Sequence, residues 1–257
     1  MDGTARPVHL AAPFVHHFWQ RKNDTALPIV SAVATMPMVL ADGCILSGRG
    51  LDRQRGIVFR IPTELLALLP KAEDCTPRAV GEAMRFLADD WLVDVATDYE
   101  GKCILIALAL TILERLLLPE RPAYFVTAGQ RGGGKTTAVH MISVAVLGHR
   151  AAAVAWSTSE EERRKALFAF LGAGLPLIAW DNIARGAAIG CPSIEKALTA
   201  VTYIDRVLGE TDHRTVPAST VMAFTGNNIS PRGDLASRSL TAPMRNLRNL
   251  FAHPAHV

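Results

Sequence analysis

Apolar positions along the chain fall into two textures, and the change comes near Pro122. Beyond it, short apolar runs alternate with longer stretches of helical period. "AYFVTA" (123–128) leads straight into a glycine-rich loop, and "TTAVHMISVAVLG" (136–148) reads as a helix closed by Gly148. "AAAVAWS" is a second strand. Ser159, followed three residues on by Glu162, forms a capping box ahead of the helix "RRKALFAFLG". "LPLIAWDN" is a third strand, "SIEKALTAV" another helix and "STVMAFTGNN" a fourth strand. Strands alternating with helices at this spacing predict a parallel sheet covered by helices on both faces.

The earlier part of the chain is shorter in period. Residues 1–27, rich in His and Pro, read as an irregular lead-in, and 28–100 as a small β/α region. "MVLADGCIL" places Asp42-Gly43 between two apolar runs, a hairpin signal, and "LDRQRGIVFRIP" reads as a second hairpin turning near Arg55-Gly56. Thr63 is expected to cap the short helix "ELLALL". Thr76-Pro77 opens the helical stretch "RAVGEAMRFLADDWL". A second helix is expected over roughly 102–118, stopped by Pro119, and the main α/β unit over 101–257. Its apolar run "CILIALALTIL" (103–113), followed by Glu114 and Arg115, is too short to cross a bilayer and fits a buried helix.

Composition narrows the setting. Of 257 residues, 49% are apolar and 20% charged, which describes a folded chain. A net charge of +3 permits a local nucleic-acid contact without demanding one. The four cysteines, at 44, 75, 103 and 191, form no Cys-x-x-Cys and argue against a zinc site or a disulfide framework. With no signal-like start and no membrane span, the expected setting is the cytoplasm.

The chemistry is concentrated in "TAGQRGGGKTTA", residues 127–138. Gly129, four residues, then Gly134-Lys135-Thr136 has the spacing of a phosphate-binding loop, with a strand before it and a helix after it. Glycines there let successive backbone N–H groups face phosphate oxygens, and the helix start adds its positive dipole. The nucleotide-binding residues are then Gly129, Gln130, Arg131, Gly132, Gly133, Gly134, Lys135, Thr136 and Thr137. Lys135 reaches the outer phosphates and the Thr136 hydroxyl ligates Mg2+, so ATP and Mg2+ are the expected ligands. The fold class that follows is α/β, a P-loop NTPase sheet flanked by helices.

Three further segments bear on that loop. Leu177 to Trp180 end in Asp181, the form of a Walker B strand whose aspartate holds the magnesium shell; the bland alternative is a turn at Asp181-Asn182. "FTGNN" ends the fourth strand, where Asn227, or else Asn228, can face the γ-phosphate as a sensor; the same residues also form turns. "PRGDLASRSL" supplies Arg232 and Arg238 as arginine-finger candidates, although Asp234 and Arg238 also have the spacing of an ordinary i,i+4 ion pair.

Taken together, "GQRGGGKTT", "LIAWDN", "VMAFTGNN" and "GDLASRSL" resemble the ATPase module of phage and mobile-element primase-helicases, which are superfamily III-like members of the AAA+ branch. The likeness covers about residues 100–240, and 28–62 resembles the linker before the ATPase in such proteins. It implies ATP hydrolysis coupled to DNA unwinding or loading, in a homo-oligomeric ring that engages single-stranded DNA. It also implies that "RVLGETDHRTV" is a DNA-tracking hairpin carrying Arg206, His213 and Arg214, against the plainer reading of a solvated surface hairpin. Three departures qualify the likeness. The acidic general base expected after the Walker B aspartate is Asn182, which positions water but takes no proton, leaving Glu160 or Glu195 as alternatives. The residues after Arg238 are too few for a lid domain and show no obvious further strand, and no primase domain precedes residue 28, as in a truncated module. A nucleotide-dependent assembly module with little turnover is therefore the alternative. A kinase lacks a visible arginine-bearing lid, and a GTPase lacks the Asn-Lys-x-Asp base motif.

Overall fold

In a computed structural model of the protein, which describes residues 11–20, 30, 32–39, 45–206 and 213–245, the predicted alternation becomes one five-stranded sheet. Before it come helix α1 (Ala12–Gln20), strands β1 (Ala32–Ala34), β2 (Met38–Val39), β3 (Ile45–Leu46), β4 (Arg49–Asp52) and β5 (Ile57–Arg60), and helix α2 (Thr63–Leu66). The lead-in is thus not wholly irregular, because "APFVHHFWQ" winds into α1. β2 and β3 pair antiparallel as the first expected hairpin; its Asp42-Gly43 turn lies outside the described residues. β4 and β5 form the second, and the Asp52 carboxylate closes it by accepting the N–H groups of Gln54 and Arg55 at 2.9 and 3.1 Å. β1 adds to β5 in parallel. Thr63 does not cap α2. It is the first helical residue, Pro62 holds the cap position, and no side chain caps the helix.

Helix α3 (Pro77–Arg85) is capped by Thr76, whose hydroxyl accepts the Ala79 N–H at 3.2 Å, and continues into a wider π-type stretch over Phe86–Trp91. Helix α4 (Tyr99–Glu114) carries the long apolar run and buries Leu105, Ile106, Leu108 and Ile112. Asp98 caps it through the Gly101 N–H at 2.9 Å. A Cβ on Gly101 would lie 1.9 Å from Thr97 Oγ1 and 3.0 Å from Thr97 Cβ. Thr97 in turn bridges to Met244 and donates to the Pro243 carbonyl, so no rotation of its side chain clears the space without losing that tie. Gly101→Ala is expected to destabilise the protein by about 1–3 kcal/mol, the usual cost of overpacking, read as a lowered urea midpoint.

The main unit continues through β6 (Ala123–Ala128), α5 (Lys135–Leu147), β7 (Ala152–Ala155), α6 (Glu160–Gly172), β8 (Leu177–Ile183), β9 (Ala188–Ile189) and α7 (Pro192–Leu198). Then follow β10 (Thr202–Arg206), β11 (His213–Pro217), β12 (Val221–Asn227), β13 (Ser230–Pro231), α8 (Asp234–Ser237) and β14 (Ser239–Met244). The sheet order is β14-β6-β12-β8-β7, every neighbouring pair parallel. β14 corrects the expectation that no further strand follows Arg238: residues 239–244 pair with β6 along its whole length.

Strict alternation assigns the two faces. Tyr124, Val126, Leu177, Ala179, Val221 and Ala223 meet α4 and α5, while Phe125, Ile178, Trp180, Met222 and Phe224 meet α6 and α7. The second face is aromatic, with the Phe125 and Phe224 rings stacked at 4.7 Å. With a glycine loop between its first strand and helix, this parallel sheet is the α/β fold of a P-loop NTPase.

Candidate nucleotide-binding site

The same alternation aims the polar residues. Continuing the α5-facing series past Ala179 and Ala223 brings Asp181, Thr225 and Asn227 to the face where α5 begins. A bulge makes the aim sharper: Trp180 pairs with Phe224 and Ile183 with Gly226, so Asp181 and Asn182 together oppose Thr225. Asn182 accommodates this with a left-handed φ of 57° and donates its N–H to Asp181 Oδ1 at 2.8 Å. Asparagine tolerates that conformation better than most side chains.

The loop from Gly129 to Gly134 arches between β6 and α5. Gly134 occupies the N-cap of α5 at φ 68°, and Gly132 is at φ 80°, both in the region that favours glycine. A Cβ on Gly133 would lie 3.0 Å from that of Ala128, so the loop folds closely over its own strand. Gly129, Gln130, Arg131, Gly132 and Thr137 are exposed, whereas Lys135 and Thr136 are half-buried.

Two polar links tie the loop to the neighbouring strands. Lys135 Nζ donates to Asn227 Oδ1 at 2.9 Å and lies 3.5 Å from the Gln130 carbonyl. Burial draws the Lys135 ammonium below the ordinary lysine pKa, and the charge of Asp181 opposes this. Thr136 Oγ1 lies 3.4 Å from Asp181 Oδ2, and Thr225 Oγ1 donates to Asp181 Oδ1 at 2.8 Å. Lys135, Thr136, Asp181 and Asn227 are therefore brought together. Asn228 lies alongside: its N–H bonds the Ala128 carbonyl, and its Oδ1 is 3.7 Å from where a Gly129 Cβ would stand.

This arrangement suits a nucleotide with Mg2+. Mg2+ bound with a nucleotide uses one or two protein oxygens and takes the rest of its shell from phosphates and water. Thr136 and Asp181 present one hydroxyl and one carboxylate at adjoining positions, and Thr225 fixes the carboxylate's other oxygen. No group of three His, Cys, Asp or Glu side chains suited to a metal occurs among the described residues.

Other expected residues lie elsewhere. Arg238 is at the opposite edge of the sheet, its carbonyl accepting the N–H of Ala123 where β6 begins. At about 3.3 Å per residue, the length of β6 separates it from its own loop by roughly 16–20 Å. There it lies 4.0 Å from Asp234, the plain i,i+4 pair, donates to the Glu195 carbonyl at 3.3 Å, and lines an open cleft with Glu120 and Arg121. Arg232 packs over Gly190. Neither alternative base faces the loop. Glu160 is paired with Arg163 at 2.6 Å and accepts from Ser193; burial pushes its pKa up, but these bonds and that from Cys191 hold it below the usual glutamate value. The Glu195 carboxylate accepts the Cys191 N–H at the start of α7.

Arg206, His213 and Arg214 lie on the hairpin β10–β11, all exposed, with Arg206 opposite His213 and Arg214 opposite Asp205. The base of that hairpin rests on α6, through Tyr203 against Phe168 and an Asp205–Arg164 ion pair. Its Gly-Glu-Thr-Asp turn lies outside the described residues.

Two residues at the loop were not anticipated. Thr225 is a buried hydroxyl in an apolar strand; its position in the Val221, Ala223 series was the available signal. Arg185 donates through Nη2 to the Gly129 carbonyl at 3.2 Å, a contact across 56 positions that no local pattern announces.

No family model and no curated protein matches the chain. Among solved structures, the JCV helicase is 14% identical over 67% of this chain and 46% of its own, at a TM-score of 0.41. NtrX from Brucella abortus in complex with ATP is 17% identical over 75% of this chain and 45% of its own, at 0.35. The chain thus spans about half the length of these structures, and likeness at this level transfers no role. No described helix is long and apolar enough to cross a membrane.

Proposed function

We propose that this chain is an ATP-binding P-loop ATPase core of the AAA+ kind, requiring Mg2+. The observation that carries the reading is the convergence of Lys135 with Asn227, and of Thr136 with Asp181 and Thr225, at the start of α5. Loop N–H groups from Gly132 to Thr136 hold the phosphates, Lys135 neutralises the outer pair, and Asn227 orients both Lys135 and an attacking water. Mg2+, when bound, supplies charge neutralisation between the β- and γ-phosphates. β12, lying between β6 and β8, carries Asn227 to this position, which supports an additional-strand ATPase.

The finer reading is a DNA-replication or helicase-associated protein of a phage or integrated mobile element. Arg238, remote from its own loop, is the group that a homo-oligomeric ring would present to a neighbouring copy's nucleotide. Arg206, His213 and Arg214 supply phosphate contacts for single-stranded DNA. Replacing Arg206 and Arg214 together by alanine is expected to weaken single-stranded DNA binding and reduce the magnitude of its log-log salt slope by roughly 1–1.5, at about 0.7 per phosphate contact. ATP binding stays intact, and an unchanged slope removes the hairpin from the reading.

A second reading has its own support: Asn182 stands where a base is expected, and Glu160 and Glu195 are both engaged away from the loop. On that reading the chain binds ATP as an assembly signal with little turnover. ATP turnover of the purified chain, with and without single-stranded DNA, separates the two. Robust DNA-stimulated turnover favours the motor; tight binding without it favours the assembly module.

A further inference from the structure

We propose that Arg185 is a specificity residue that grips the terminal phosphate from within the same chain, so that ATP is held far more tightly than ADP. The inference rests on the nucleotide-binding reading above and adds to it the discrimination between tri- and diphosphate. Three observations place the guanidinium. Its Nη2 donates to the carbonyl of Gly129, the first residue of the loop, at 3.2 Å. Its own turn is fastened to the strand that carries the sensor candidate: Gly186, at φ 75°, donates its N–H to the Asn227 carbonyl at 2.9 Å, and β9 then pairs with β13 just beyond that strand. Asn227 in turn holds Lys135, whose ammonium also lies near the Gln130 carbonyl. A loop lysine reaches the outer phosphates, so the corner made by Gln130, Lys135 and Asn227 is the outer-phosphate corner. Arg185 reaches the residue next to it.

The charge balance points the same way. Arg185 is exposed and forms no ion pair with any described carboxylate. A neutral carbonyl occupies one of its five N–H donors, leaving a fork suited to two phosphate oxygens. Two other arginines are committed, Arg163 to Glu160 and Arg245 to Asp98 at 3.6 Å, whereas Arg131 lies in the loop itself and is exposed. Asp181, the carboxylate beside Thr136, is already engaged by Thr225 and Thr136. A γ-phosphate brings the negative charge that Arg185 lacks; ADP ends one phosphate short of it.

The test is a competition titration of the purified full chain against a fluorescent nucleotide, with ATP and ADP, both in Mg2+, for the native protein, Arg185→Ala and Arg185→Lys. Arg185→Ala is expected to lose about tenfold or more in ATP affinity and less than about twofold in ADP affinity, with Arg185→Lys recovering part of the loss through its point charge. The nucleotide-free melting temperature should stay unchanged, since Arg185 is exposed. Equal losses for both nucleotides, or no loss for ATP, overturn the proposal while leaving nucleotide binding standing. A native chain that binds neither nucleotide overturns both readings.

Discussion

Lys135→Ala is expected to lower ATP affinity by about a hundredfold or more, from two charge-assisted hydrogen bonds of roughly 1.5–3 kcal/mol each. Lys135 Nζ lies between the Gln130 carbonyl and Asn227, and Asn227 at 2.9 Å holds it there without neutralising it. Its partial burial lowers the cost of the neutral form, which makes the ammonium responsive to an arriving phosphate. The substitution removes no core contact, so the melting temperature of the nucleotide-free protein should stay close to native. Fluorescent-nucleotide binding reads the loss directly. Unchanged affinity would contradict the assignment of the loop.

Asp181→Asn is expected to act on Mg2+ rather than on the fold. The amide oxygen still accepts from Thr225 and from the Asn182 N–H, so the bulge and its left-handed residue keep their partners. What disappears is the negative charge beside Thr136. Two unit charges 4 Å apart interact by about 4 kcal/mol at an effective dielectric near 20, and solvent sharing reduces this to an expected loss of roughly 10–100-fold. The measurable consequence is that Mg2+ ceases to strengthen ATP binding, and any turnover falls with it. Equal Mg2+ dependence in native and variant proteins would place the metal elsewhere.

How far these residues could be read from the chain depended on the range of the interactions involved. The strand–loop–helix around Lys135 was legible because each part is local: an apolar run, glycines, then a helical period closed by Gly148. The alternation in 177–181 and 221–227 was legible too, and it puts Asp181, Thr225 and Asn227 on one face. Thr225 was passed over because a threonine in a strand needs no function to explain it. β14 was missed for a different reason. "SLTAPM" carries Pro243 and two small polar residues, Ser239 and Thr241, which mark a poor interior strand. β14 is an edge strand, paired on one side with β6, where proline is tolerated. The same edge position exposes part of it, so a continuous apolar run was never required.

The base question is one of tertiary context. Sequence spacing left Glu160 and Glu195 open as replacements for Asn182; the fold commits the first to Arg163, Ser193 and Cys191, and the second to the start of α7. Arg185 and Arg238 illustrate the opposite outcomes of long-range placement. One is delivered to the loop by a turn that is itself pinned to β12, and the other is carried to the far edge of the sheet.

The most direct test of the account is isothermal titration of the purified chain with ATP in the presence of Mg2+. The geometry at Lys135, Thr136, Asp181 and Asn227 predicts one saturable site per chain, with a dissociation constant on the order of micromolar, or about −8 kcal/mol. Absence of saturable binding up to millimolar ATP by a folded protein would contradict it.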